Sequence, residues 1–95
     1  MVQQTTDLRC IYDSRASFYS KAKVITHKNN KVSLVSYNTE VAIFDPSKNE
    51  LIVKASEYSK NGKYSMTTTR HIREFALQKG FGRLEMVRVG TYSKK

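Results

Sequence analysis

The chain holds one cysteine, one proline, four glycines and no tryptophan in 95 residues. A lone thiol, Cys10, closes no intramolecular disulfide. With only two histidines beside it, it makes no cysteine-based zinc site without carboxylate help. Such sparing cysteine use fits a reducing, cytoplasmic setting. Long apolar runs are also missing: nowhere do about 18 apolar residues follow one another, so no spanning helix is expected and no membrane partner either. The opening MVQQTTDLRC has neither the basic nor the apolar region of a secretory signal. G-x-S-x-G, H-E-x-x-H and phosphate-cradling glycine loops are absent. Gly80-Phe81-Gly82 is only a pair of glycines at a helix end.

Acidic residues are scarce too. Eight Asp and Glu face seventeen Lys and Arg, leaving a net charge of +9 and a pI near 9.9. A surplus of that size points to a negative partner such as nucleic acid, although it also serves solubility alone. The basic residues are dispersed. Lys21/Lys23, Lys60/Lys63, Arg70/Arg73 and Lys94/Lys95 form local pairs, and no basic tail stands out.

What is present is enough apolar and aromatic material, 39% and 11%, for one modest core in a single domain, residues 1–95. Its ordered part is expected at about residues 9–89, with loose ends at 1–8 and 90–95. Residues 9–12 read as a short strand or as a segment packing down through Ile11 and Tyr12, and Asp13-Ser14-Arg15 as a turn. Strands are predicted at 21–28 and 31–37 from alternating apolar and polar residues, with Asn29-Asn30 between them suited to a tight turn. A further strand at 39–45, apolar on both faces, is reached through a turn around Asn38. Asp45-Pro46-Ser47-Lys48-Asn49 then leads to another strand at 50–56.

The stretch YSMTTTRHIREFALQKG, residues 64–80, is the one clear helical pattern. At 100° per residue Thr68, Ile72, Phe75 and Ala76 share one arc, Arg70, Arg73 and Leu77 a second, and Thr67, Glu74 and Gln78 a third. Ser65 or a following threonine caps the start and Gly80 ends it. Residues 83–89 read as a fifth strand or a short helical turn. The fold class is therefore α+β: a four- to five-stranded antiparallel meander covered on one face by a single helix.

Three motifs in this order carry a resemblance: YDSRASFYSKA (residues 12–22), SYNTEVA (36–42) and YSMTTTRHIREF (64–75). Together they resemble a family of short uncharacterised proteins of low-GC Gram-positive bacteria and their phages, over roughly residues 12–79. The resemblance leaves the chain beyond Gly80 as specific to this protein. It implies a phage or mobile-element protein in a bacterial cytoplasm and no settled activity.

For chemistry, His71 and Glu74 stand three residues apart, the spacing of a base and its orienting carboxylate, but helices carry such pairs constantly and the surface or structural reading is favoured. No enzyme activity and no cofactor are expected. Anion recognition is the stronger case. Ser65, Thr67, Thr68 and Thr69 cluster at the positive end of the helix, Arg70 and Arg73 lie a turn further on, and Lys60 and Lys63 flank them. The same hydroxyls also serve as plain caps. Tyr12, Tyr19, Tyr37, Tyr58, Tyr64 and Tyr92 are interleaved with lysines, which suits stacking on single-stranded bases or edging a small core. Asp13 and Arg15 read as an ion pair pinning the N-terminal turn. The leading expectation is a non-enzymatic accessory protein binding nucleic acid or a nucleoprotein. The alternative is an inhibitor docking on a host defence complex such as a CRISPR effector, and a dimeric module with an exposed apolar sheet face is a third reading.

Overall fold

A computed structural model describes residues 4–13, 18, 21–55, 59, 62–82 and 87–93. The strands β1 (Gln4–Asp7), β2 (Ala22–Thr26), β3 (Val32–Ser36), β4 (Thr39–Asp45), β5 (Glu50–Val53) and β6 (Gly90–Ser93) form one antiparallel sheet in chain order. The helix α1 (Met66–Gln78) lies between β5 and β6 in sequence and covers one sheet face across β3.

Alternation sets the faces. Across the sheet, Val24, Leu34, Ala42 and Val53 fall in one row, and Val32, Phe44, Leu51 and Tyr92 in the next. Leu34, Ala42, Leu51 and Val53 are buried beneath Ile72, Phe75 and Ala76 of α1, with Leu8, Phe18, Tyr64 and Val87 closing the core. Each such large side chain removed from water stabilises by about 1.5–3 kcal/mol. The opposite rows carry Ile25, Ser33, Ile43 and Ile52, and there Ser33 Oγ bonds His27 Nε2 at 2.7 Å.

The turns follow local chemistry. Asn30 takes a positive φ of 69° after Lys28 and Asn29, and its N–H donates to the His27 carbonyl at 3.0 Å. Asp45 Oδ1 accepts from Ser47 N at 3.0 Å and Ser47 Oγ at 2.7 Å. Those bonds, led by the Ser47 hydroxyl, hold the Asp45 carboxyl below its ordinary range. Ser65 caps α1 by accepting from Thr68 N. Gly80, φ 85°, ends it with Gly80 N donating to Leu77 O and Phe81 N to Ala76 O, the paired bonds of a Schellman stop. Phe81 then turns back edge-on to Phe44, ring centroids 5.7 Å apart.

Both ends of the chain depart from expectation. The sheet has six strands, since residues 4–7 and 90–93 are paired rather than loose. β1 is QTTD, exposed throughout. It lacks any apolar alternation because it is an edge strand held by its ladder, and Leu8, whose N–H donates to the Ala22 carbonyl, anchors it below. β6 is fixed by Tyr92, which sits opposite Leu51 and ties its hydroxyl to both the N–H and carbonyl of Arg88. The expected strand at 83–89 lies partly outside the described residues; Val87 is buried, and Arg88 pairs with Lys63 as an isolated bridge rather than in a strand. Ile11 and Tyr12 do not pack down. They are 62% and 60% exposed, and Leu8 and Cys10 take that role.

Candidate functional site

Two regions of α1 and its surroundings gather side chains with chemical capacity. The first is the side facing the N-terminal loop. Glu74, only 1% exposed, accepts at Oε1 from the N–H groups of Tyr12 and Asp13, both at 2.8 Å. Its Oε2 accepts from Gln78 Nε2 at 2.6 Å, and that amide also donates to the Arg9 carbonyl at 2.7 Å. A buried carboxylate is tolerable because each oxygen is hydrogen-bonded. Arg70 donates to Asp13 Oδ1 at 3.2 Å, the two side chains 35% and 12% exposed. Tyr12, Asp13, Met66, Arg70, Arg73 and Leu77 line a groove over this clamp. Asp13 therefore pins its turn to the helix through Arg70, and Arg15 lies outside the described residues.

The second region is the tip joining β3 to β4. Tyr37 and Asn38 have φ of 50° and 71°, the two successive positive values of a type I′ turn. Asparagine accepts that backbone; a tyrosine there is strained, and such strain concentrates at functional positions. The Tyr37 N–H donates to the Lys21 carbonyl at 2.9 Å, and its ring lies 5.8 Å from that of His71 at 35°. The residue is nonetheless 50% exposed. Two residue pairs past the tip, the register slips. Leu34 pairs with Ala42 but Val35 with Glu40, so Val41 is a bulge whose carbonyl accepts from Lys54 N. The slip buries both Val41 and Ala42 and turns Val41 toward the start of α1.

Tyr37 separates two hollows. On the helix side, Ser36, Tyr37, Thr39, Val41, Tyr64, Ser65 and Thr68 surround about 300 Å³. Beneath it, Ser36 Oγ bonds His71 Nδ1 at 2.8 Å and Thr68 Oγ1 at 3.2 Å, and Phe18 stands edge-on to His71 at 4.6 Å. The Tyr64 hydroxyl donates to the Lys54 carbonyl. On the open side of the sheet, Lys21, Lys23, Val35, Tyr37 and Asn38 surround about 330 Å³. Close by, burial pushes the Glu40 carboxyl up. Hydrogen bonds from Lys54, 2.6 Å away, and from Ser33 outweigh it and hold the group below its usual range.

The residues singled out in the sequence are dispersed over this frame. Ser65 is the cap and lines the helix-side hollow, whereas Thr69 Oγ1 donates to the Tyr64 carbonyl and Thr67 is half-buried. Arg70 and Arg73 are brought together, but in the N-terminal groove, with Arg70 bound to a carboxylate. Lys63 is exposed beside Arg88, and Lys60 lies outside the described residues. His71 and Glu74 do not act as a pair: both are buried, one bonded to Ser36, the other to the N-terminal loop. Of the tyrosines, Tyr64 is buried, Tyr92 half-buried, Tyr12 and Tyr37 exposed, and Tyr19 and Tyr58 lie outside the described residues. The Lys21/Lys23 hollow was missed in the sequence. Its one signal is a tyrosine at a turn position that favours glycine or asparagine.

Among the described residues no cluster of metal-ligating side chains occurs, and no helix is long and apolar enough to cross a membrane. No curated protein and no solved structure matches the chain. A family model does, over residues 6–89, a span that contains all three motifs and continues past Gly80 almost to β6. The segment after the helix is thus shared rather than peculiar to this chain, which belongs to a family of unknown function, DUF8033.

Proposed function

We propose that this is a small, non-enzymatic accessory protein of a phage or mobile element, acting in a bacterial cytoplasm by binding nucleic acid or a nucleoprotein. The contact surface is the β3–β4 tip. The observation that carries this reading is Tyr37, half-exposed on a strained backbone with Lys21 and Lys23 lining the hollow at its side. An aromatic face beside ammonium groups suits a base and its neighbouring phosphate, and the surplus of +9 draws a polyanion toward any part of the surface. Phosphate contact of this kind is independent of sequence.

The test is binding of labelled oligonucleotides by fluorescence anisotropy across a salt series. Affinity falls steeply between about 50 and 200 mM salt, because neutralised phosphates release counterions. Binding that is absent at the low end, or indifferent to salt, overturns the reading.

A second reading, an inhibitor that docks on a host defence complex, draws on the N-terminal groove. There Met66 and Tyr12, 73% and 60% exposed, flank Arg70 and Arg73, an apolar and cationic mixture common at protein interfaces. Pull-down from host lysate with and without nuclease separates the two. A partner lost on nuclease treatment supports nucleic acid, and one retained supports the inhibitor.

A further inference from the structure

We infer that the ligand at the β3–β4 tip is single-stranded and that the protein takes one unpaired base into the helix-side hollow. The inference rests on the nucleic-acid reading above and names the form of nucleic acid that the same site selects. Three features carry it.

The first is shape. About 300 Å³ enclosed by Tyr37, Thr39, Val41, Tyr64, Ser65 and Thr68 lies at the lower end of pockets that enclose small ligands. That suits one ring system with part of its sugar. A base held in a duplex shows only its edges in the grooves and cannot present a whole ring to such a space.

The second is lining. Two aromatic side chains and a valine form apolar walls, while the Thr39 and Ser65 hydroxyls stand at positions that both donate and accept. Hydroxyls of that kind meet the edge of any base, so the hollow favours a ring without fixing its identity. The deepest polar atoms are already satisfied: Ser36 Oγ is held by His71 Nδ1 and Thr68 Oγ1. The floor is therefore set before anything binds.

The third is continuity with charge. Tyr37 borders both hollows, so a chain whose base enters on the helix side passes over the tip and sets its adjoining phosphates against Lys21 and Lys23. Both lysines are exposed, Lys23 within β2 and Lys21 just before its first residue, and neighbouring phosphates along one strand match a pair of cations two residues apart. A duplex meets the lysines but leaves the hollow empty.

The experiment compares a labelled oligothymidylate with a blunt duplex of equal length at about 50 mM salt, where phosphate contacts are strong. The intact chain binds the single strand at least tenfold more tightly. Thr39→Phe, which fills the hollow, lowers single-strand affinity about tenfold, the loss expected for one base contact, and leaves duplex binding unchanged. Tyr37→Gly keeps the turn and removes the platform, giving the same single-strand loss in a variant that has no reason to misfold. Lys21→Ala with Lys23→Ala weakens both ligands. Ultraviolet cross-linking of a bromouridine-substituted strand attaches at Tyr37 or Tyr64. Equal affinity for the two ligands, or single-strand binding untouched by both Thr39→Phe and Tyr37→Gly, overturns the inference while the lysine variant still upholds nucleic-acid binding. Absence of salt-sensitive binding to both ligands overturns the inference and the nucleic-acid reading together.

Discussion

The two sides of α1 differ in a way that composition cannot express. On the side of the N-terminal loop, charge is dense and spoken for: Glu74 holds two backbone amides and Gln78, and Arg70 holds Asp13. On the side of the β3–β4 tip, Lys21 and Lys23 stand exposed beside a half-open tyrosine. The helix arginines are the more conspicuous in sequence, yet one of them works as a fastener. A guanidinium already bonded to a carboxylate must break that bond to grip a phosphate. The ammonium groups at the rim carry a smaller barrier of that sort. Charge counted along a chain and charge offered to a partner are separate quantities.

The largest way to break this comparison is at the clamp. Replacing Glu74 by alanine leaves the Tyr12 and Asp13 amides and the Gln78 side chain without their acceptor, costing about 3 kcal/mol. For a domain whose whole stability is of order 5–15 kcal/mol, urea unfolding resolves that loss readily. Amide exchange at Tyr12 and Asp13 accelerates beyond the global change, because the loop detaches first. Oligonucleotide affinity of the folded fraction stays within twofold. Should the variant bind far more weakly while still folded, the clamp side is part of the contact surface.

Tyr37→Gly sharpens the contrast from the other side. A non-glycine residue in the left-handed region carries about 1–2 kcal/mol of strain, partly offset by the larger entropy that glycine loses on folding. The ring's contact with His71 is forfeited as well. The balance leaves the variant as stable as the parent or better by about 0.5 kcal/mol, a small rise in Tm by scanning calorimetry. Improved or unchanged stability together with weakened nucleic-acid binding identifies a tyrosine retained for contact. A clear loss of stability makes Tyr37 a packing residue instead.

The same contrast explains what was legible in the sequence. Strands 22–26 and 32–36 could be read because Ala22, Val24, Val32 and Leu34 recur every second residue on the face beneath the helix, and a period of two reports that directly. The buried arc of the helix, Thr68, Ile72, Phe75 and Ala76, was equally plain. β1 was hidden because an exposed edge strand needs no apolar pattern, and β6 because a single residue, Tyr92, fixes it. Glu74 reads as a surface residue by type. Its burial depends on a loop some sixty positions earlier folding over it, and no local period encodes that. The bulge at Val41 slips the register where the Lys54 N–H donates to its displaced carbonyl, again a distant partner. Long-range polar contacts made the candidate site, and they were the part that pattern could not supply.

The smallest effect decides the comparison most sharply. Arg70→Ala removes a partly exposed ion pair, for which about 0.2–1 kcal/mol of stability is expected, less at high salt. Its effect on oligonucleotide affinity depends on which side of the helix meets phosphate. If the tip is the contact surface, Arg70→Ala changes affinity by less than twofold and leaves the salt dependence as it was. Lys21→Ala with Lys23→Ala flattens the slope of log affinity against log salt by about 1.4–1.8, the value for two lost phosphate contacts. If α1 is the contact surface, the ranking inverts: the arginine variant flattens the slope and the lysine pair does not. Measuring both slopes under the same conditions separates the alternatives even where the change in affinity is slight. The slope counts ions released at the interface, and an arginine kept on Asp13 in both states releases none.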